Sequence, residues 1–186
     1  MHASFIAVAC ALFASVTLAA PLSTRAKTSL CSPKINGTIA TEVIVTDYPR
    51  YAWYPDLYGG VSIVFPGDGY IPPAYFFHIW NDGGDDKYRL ASNSDTSKCL
   101  SGRHGVLGPA DCGSPLAAWT ITCETCHLNS GSSCQFKATT VAECATVVAP
   151  DQPLNVATCK TTRDPKDGLV NVNGTQYFSF DGYTLD

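Results

Sequence analysis

Methionine is confined to the initiator, and past the first twenty residues glutamate occurs only as Glu42, Glu124 and Glu143. The chain has 12 prolines and 15 glycines in 186 residues. It has no run with apolar residues at i, i+3, i+4 and i+7, so it offers little from which to build helices. Charge is scarce as well, at 15% Asp, Glu, Lys and Arg with a formal net charge of −4. The 12 Lys and Arg are scattered against 16 carboxylates and form no basic patch, which argues against a nucleic-acid partner. No apolar run after residue 20 is long enough to span a bilayer. No G-x-S-x-G elbow and no EF-hand spacing occur.

The chain does have an apolar opening, Phe5 to Val16, followed by the small residues Thr17, Ala19 and Ala20. That pattern predicts a secretory signal peptide over residues 1–19, cleaved near Ala19. His2 is the only basic residue ahead of it, which leaves a signal-anchor as the alternative. Cleavage leaves about 165 residues, the size of one domain with its own core. Residues 20–30 form a mature N-terminal segment and 31–186 a single domain. Asn36-Gly37-Thr38 and Asn173-Gly174-Thr175 are glycosylation sequons, consistent with export through a eukaryotic secretory route to the extracellular space.

Of 9 cysteines, Cys10 leaves with the leader. Cys31, Cys99, Cys112, Cys123, Cys126, Cys134, Cys144 and Cys159 remain, and an even count in an exported chain reads as disulfides. Cys123-Glu124-Thr125-Cys126-His127 has the spacing of a c-type haem attachment, yet only Met1 could supply a methionine axial ligand, and it goes with the leader. A zinc site from Cys123, Cys126, His127 and Cys134 suits a reducing compartment and lacks a second spaced pair. A redox C-x-x-C would open a helix, whereas a turn sequence follows Cys126 here. Structural bridges are therefore expected, with no cofactor. A direct Cys123–Cys126 bridge would be strained. One of the two is expected to close the loop to Cys134 while the other reaches Cys31.

Catalytic groupings are equally thin. His78, His104 and His127 have no partner fixed by spacing, and a single Asp95-Thr96-Ser97 cannot form a two-lobed aspartic dyad. Asp82, Asp85 and Asp86 flank Gly83 and Gly84 in a solvated turn, with a loop calcium site as the sharper alternative.

Short β-branched and aromatic runs are plentiful: Val43-Ile44-Val45, Val61 to Phe65, Tyr75 to Trp80, Trp119-Thr120-Ile121 and Leu169 to Val172, bounded by Gly, Pro, Asn and Asp clusters. They predict an all-β fold. The second half also repeats itself. Tyr88-Arg89-Leu90, Cys99, Val106-Leu107, Cys112 and Trp119-Thr120-Ile121 line up with Gln135-Phe136-Lys137, Cys144, Leu154-Asn155-Val156, Cys159 and Leu169-Val170-Asn171. The cysteines in each copy are 13 and 15 positions apart, as a bridge between neighbouring strands across a loop requires. Cys99 is thus paired with Cys112 and Cys144 with Cys159.

Lys98-Cys99-Leu100, Ala110-Asp111-Cys112 and Ala117-Ala118-Trp119 resemble the first cysteine, second cysteine and closing Q-x-W of the ricin-B-type lectin family. The resemblance implies a β-trefoil of three four-stranded units, at about 31–86, 87–126 and 134–180, with a disulfide-stapled β-sandwich as the alternative. It places His78 at the Gln position and Trp80 at the Trp position of the first unit. It also implies carbohydrate binding by a degenerate site. The family's Asp after the first cysteine is Ser101 in one unit and Thr146 in the other, which removes a charge-assisted hydrogen bond of about 1.5–3 kcal/mol. Trp53, Tyr54 and Tyr58, in the aromatic stretch from Tyr48 to Tyr58, are the remaining candidates for stacking on sugar, with Ser101 as a weaker contact. The expected protein is non-enzymatic, with glycans as partner or, alternatively, an extracellular protein gripped as by a protease inhibitor or effector. No membrane contact is expected after cleavage.

Overall fold

Alternation of apolar and polar residues every two positions builds most of the observed structure. In Val43-Ile44-Val45 the valines are buried and the isoleucine is half-exposed, and in Ile121-Thr122-Cys123-Glu124 the first and third residues point inward. The computed structural model describes residues 29–46, 48–55, 60–65, 76–84, 86–93, 95–103, 105–161 and 174–185. The expected signal peptide, most of segment 20–30, and Tyr58, Asp85, His104, Leu169 to Val172 and Asn173 lie outside these.

The strands are β1 (Thr38–Thr41), β2 (Val43–Val45), β3 (Tyr48–Pro55), β4 (Val61–Val64), β5 (Phe77–Asn81), β6 (Tyr88–Ser92) and β7 (Asp95–Arg103), followed by β8 (Val106–Asp111), β9 (Trp119–His127), β10 (Ser130–Ala138), β11 (Glu143–Thr146), β12 (Asn155–Thr158), β13 (Phe178–Asp181) and β14 (Tyr183–Thr184). The described residues contain no α-helix. All pairings between named strands are antiparallel. β1 pairs with β5, β5 with β6, β6 with β9, β9 with β10 and β10 with β13; β13 and β14 return to β2 and β1. That circuit is a closed barrel. Three hairpins, β3–β4, β7–β8 and β11–β12, extend from it through β2, β6 and β10. The fold is a β-trefoil, one closed barrel rather than the facing sheets of a sandwich.

The threefold repeat is carried by register. Phe77, Trp119 and Phe178 open the fourth strands of the three units. Each lies opposite its own unit's first strand, at Thr41, Tyr88 and Cys134, and opposite the next unit's first strand, at Ser92, Ala138 and Val45. This corrects two expectations. The residue at the first unit's Trp position is Phe77, not Trp80, so His78 does not occupy the Gln position. In the third unit the strand opens at Phe178 and the motif is Gln176-Tyr177-Phe178, not Leu169-Val170-Asn171. The connection from Cys159 to Phe178 is much longer than that from Cys112 to Trp119, and this length misplaced the alignment.

Equivalent positions hold different side chains whose volumes compensate. Trp53, Leu100 and Ala145 are matched, because Ala52, Cys99 and Cys144 pair with Ile44, Ala91 and Lys137. One very large, one medium and one small residue thus share the barrel interior. Near the axis the three hairpins meet through Val61, Leu107 and Leu154: the Leu154 amide donates to the Val61 carbonyl at 2.6 Å and the Leu107 amide to the Leu154 carbonyl at 3.5 Å.

Four disulfides join Cys99 to Cys112, Cys144 to Cys159, Cys123 to Cys134 and Cys31 to Cys126. The first two staple the second and third hairpins. In the first hairpin Ala52 stands at the cysteine position. The last pair ties the lead-in segment to the barrel wall, where the Cys31 and Cys123 backbones exchange hydrogen bonds of 2.9 and 2.8 Å.

Candidate functional site

Of the residues offered by the sequence for sugar contact, Tyr58 lies outside the described residues, and Trp53 and Ser101 are buried. Trp53 is 1% exposed, and its ring packs against Phe77, Phe136 and Phe178 at centroid distances of 5.8, 5.1 and 5.0 Å. It fills the barrel and offers no free face for stacking. Tyr54 follows it on β3 and is half-buried. Ser101 is 0% exposed and its hydroxyl donates to the Gly108 carbonyl at 3.0 Å, within its own hairpin. Thr146, the matching residue of the third unit, donates to the Cys144 carbonyl and accepts from Gln176 Nε2. Neither hydroxyl is turned toward a ligand, so the hairpin sites are closed in these two units.

Gln176 is the residue that the sequence alignment passed over. Its side chain is 2% exposed. Nε2 donates to Thr146 Oγ1 at 2.9 Å and to the Thr158 carbonyl at 3.0 Å, while Oε1 accepts from the Lys160 amide at 2.8 Å and from Gln135 Nε2 at 3.3 Å. It ties the third hairpin to the barrel. The signal that could have found it is a Gln two positions before an aromatic residue.

The aspartates of the turn are otherwise engaged. Asp82 forms an ion pair with Arg89 at 2.6 Å, and the Arg89 guanidinium also donates to the Ser114 carbonyl. Among the described residues no three His, Cys, Asp or Glu side chains converge as a metal site. Asn36 is exposed, and its amide donates to Asn129 Oδ1 at 2.8 Å. His78 is half-buried in β5.

The outer wall of the barrel carries a groove of about 640 Å³ where the first and last strands meet. This lies within the range of ~300–1,000 Å³ typical of ligand clefts. Strand register sets its floor as two rows. Ser130 pairs with Asp181 on one side and His127 on the other. Asp181 faces Glu42, because the register that joins Phe180 to Val43 resumes unshifted at Tyr183 and Ala40. Glu42, Asp181, Ser130 and His127 therefore form one row across four neighbouring segments.

The second row is Ile44, Ser179, Ser132 and Thr125. Ser179 pairs with Ile44 and Ser132 with Thr125, and an irregularity between Gly131 and Cys134 brings Ser132 and Ser179 within hydrogen-bond reach at 3.3 Å. Ser179 also shares a 2.8 Å hydrogen bond with Thr46. Gly131, between Ser130 and Ser132, turns toward the core. A Cβ there would stand 2.7 Å from the sulfurs of both Cys123 and Cys134.

Two aromatic rings wall the groove. Tyr183 is 57% exposed and meets Phe76 edge-on at a centroid distance of 6.2 Å. Burial raises the Glu42 carboxyl above its ordinary pKa. An open aromatic face beside carboxylates, hydroxyls and an imidazole can stack on an apolar ring face and accept or donate several hydrogen bonds at once. Of this set, sequence reasoning had singled out only His127, as a rejected zinc ligand.

No family model and no curated protein matches the chain. Solved structures share its fold at low identity. A mosquitocidal holotoxin is 14% identical with a TM-score of 0.56, the alignment covering 78% of this chain and 17% of the toxin. The Polyporus squamosus lectin, bound to the human-type influenza-binding epitope Neu5Acα2-6Galβ1-4GlcNAc, is 12% identical with a TM-score of 0.54, covering 78% of this chain and 49% of the lectin. A cytolethal distending toxin of Actinobacillus actinomycetemcomitans is 13% identical with a TM-score of 0.55, covering 79% and 93%. The chain thus spans half or less of the holotoxin and the lectin, and what it has in common with all three is a trefoil.

Proposed function

We infer that this is a secreted, non-enzymatic carbohydrate-binding protein whose site has moved from the trefoil hairpins to the barrel wall. The observation that carries this reading is the wall groove, where the exposed Tyr183 ring stands beside Glu42, Asp181 and a floor of serine hydroxyls. Sugars present an apolar C–H face and a rim of hydroxyls, and that combination suits an aromatic wall over a polar floor. The lectin-like fold supports the assignment at the level of scaffold. Export is supported by the apolar leader, by four disulfides and by the exposed Asn36 sequon. No helix among the described residues is long and apolar enough to cross a membrane. The alternative of a protein-binding aromatic strand at Tyr48 to Tyr58 loses its central anchor, since Trp53 points into the core.

The test is a glycan array probed with the secreted protein and its Tyr183→Ala variant. Binding to at least one glycan class, weakened about tenfold or more by the substitution, is expected. Absence of glycan binding, or binding indifferent to Tyr183, overturns the assignment, and release of new reducing ends from a bound oligosaccharide overturns its non-enzymatic part.

A further inference from the structure

The charge of the groove is one-sided. Among the described residues its lining holds Glu42, Asp181 and His127 but no Lys or Arg. Glu42 and Asp181 occupy facing register positions across neighbouring antiparallel segments of the outer wall. The ion pairs among the described residues are Arg89 with Asp82 and Lys98 with Asp111, so neither groove carboxylate is compensated by a protein cation there. The neighbouring positions 130, 132, 179 and 125 are all Ser or Thr, so the acidity of the floor is concentrated at Glu42 and Asp181. The two carboxylates line the same concavity of ligand size as the exposed Tyr183 ring.

We propose that the groove selects amino sugars bearing a free ammonium, in particular oligosaccharides of glucosamine, over their N-acetylated and acidic counterparts. This rests on the carbohydrate-binding reading above and adds the substrate class. The pyranose C–H face stacks on Tyr183. The ring hydroxyls meet Ser130, Ser132 and Thr125. The ammonium lies between Glu42 and Asp181, where its N–H groups donate charge-assisted hydrogen bonds to the carboxylates. N-acetylation removes the charge and adds bulk at that point. A sialic acid or uronate would bring a third carboxylate beside two that no described Lys or Arg offsets.

The test is titration calorimetry of the full secreted chain with a glucosamine tetramer, the matching N-acetylglucosamine tetramer, a sialylated trisaccharide and spermine as a polyamine without a sugar ring. The glucosamine tetramer is expected to bind at least tenfold tighter than its N-acetylated form, with no measurable binding of the sialoside or spermine. In the Glu42→Gln, Asp181→Asn double variant, which keeps the side-chain shapes, the preference for the free amine falls to about onefold. In Tyr183→Ala both tetramers weaken together. Equal or tighter binding of the N-acetylated or sialylated glycan overturns the amino-sugar inference while leaving a carbohydrate-binding protein. A preference that survives the double variant, or spermine binding as tight as the tetramer, also overturns it. Failure of every glycan overturns both readings.

Discussion

Trp53 shows how one side chain can have two readings. On the sequence it is the centre of an aromatic stretch and a natural sugar platform; in the fold it is, with Trp119, one of the two largest fully buried side chains. Aromatic residues occupy both parities of Tyr51-Ala52-Trp53-Tyr54, so alternation could not tell which face each belongs to. What decides it is the company of Leu100 and Ala145 at the matched positions, where an apolar residue must fill the space each time. Replacing Trp53 by Ala is therefore expected to cost about 3–5 kcal/mol, as for other buried aromatics. Trp53→Phe should cost less than a simple volume count implies, because the buried indole N–H has no acceptor among the described residues and its removal relieves a desolvation penalty. Denaturant unfolding of both variants checks this. The fraction of Trp53→Ala that remains folded should bind glycan as the unchanged protein does, which a surface platform could not do. Ser101 is the same lesson with a polar group: its hydroxyl is satisfied by Gly108 within the hairpin, so position in a motif did not imply exposure.

At the scale of elements, strands were legible where β-branched and aromatic residues clustered, and the second unit was legible almost throughout, because Cys99, Cys112 and Trp119 punctuate it at short, regular intervals. The first and third units were harder for identifiable reasons. Ala52 takes the place of a cysteine in the first, and Phe77 takes the Trp position three residues before a real Trp80. In the third, the long connection after Cys159 drew the closing strand to an apolar run that comes too early. Gln176 is where the third unit is held despite that connection. Its four hydrogen bonds reach β11, the end of β12, Lys160 and β10, and truncation would leave several of those buried partners unsatisfied at about 1–3 kcal/mol each before local relaxation. Gln176→Ala is expected to lower stability by roughly 2–4 kcal/mol on that basis. The loss should be local in hydrogen exchange: the Lys160 amide, which donates to Gln176, loses protection first, while those of the β9–β10 pair keep theirs. Uniform loss of protection across the barrel would show that Gln176 supports the whole fold rather than one hairpin.

For the molecule as a whole, the seam of the barrel and the groove are the same place. Glu42 and Ile44 come from the first strands of the circuit, Ser179, Asp181 and Tyr183 from the last, and they meet only because β13 and β14 return to β2 and β1. The candidate site was hidden in the sequence for this reason: its residues come from well-separated stretches, around 42–44, 125–132 and 179–183, and no local pattern marks a residue as facing a partner across a closed barrel. The seam is also the longest-range pairing among the described strands, formed by short strands from opposite ends of the domain. A ligand that bridges Glu42 on one side and Asp181 or Tyr183 on the other holds it shut. Such a ligand binds the closed barrel and not the unfolded chain, so at a hundred times its dissociation constant it adds about 2.7 kcal/mol of stability. For a domain of this size that raises the Tm by about 5 to 10 °C. The glucosamine tetramer at saturation should produce that rise and slow exchange at the amides of β13 and β14 more than at those of β7 and β8. A ligand held elsewhere on the protein could raise the Tm as much, but it would leave the contrast between seam and hairpin amides unchanged. Differential protection, rather than the Tm shift alone, therefore decides whether binding and barrel closure are one event.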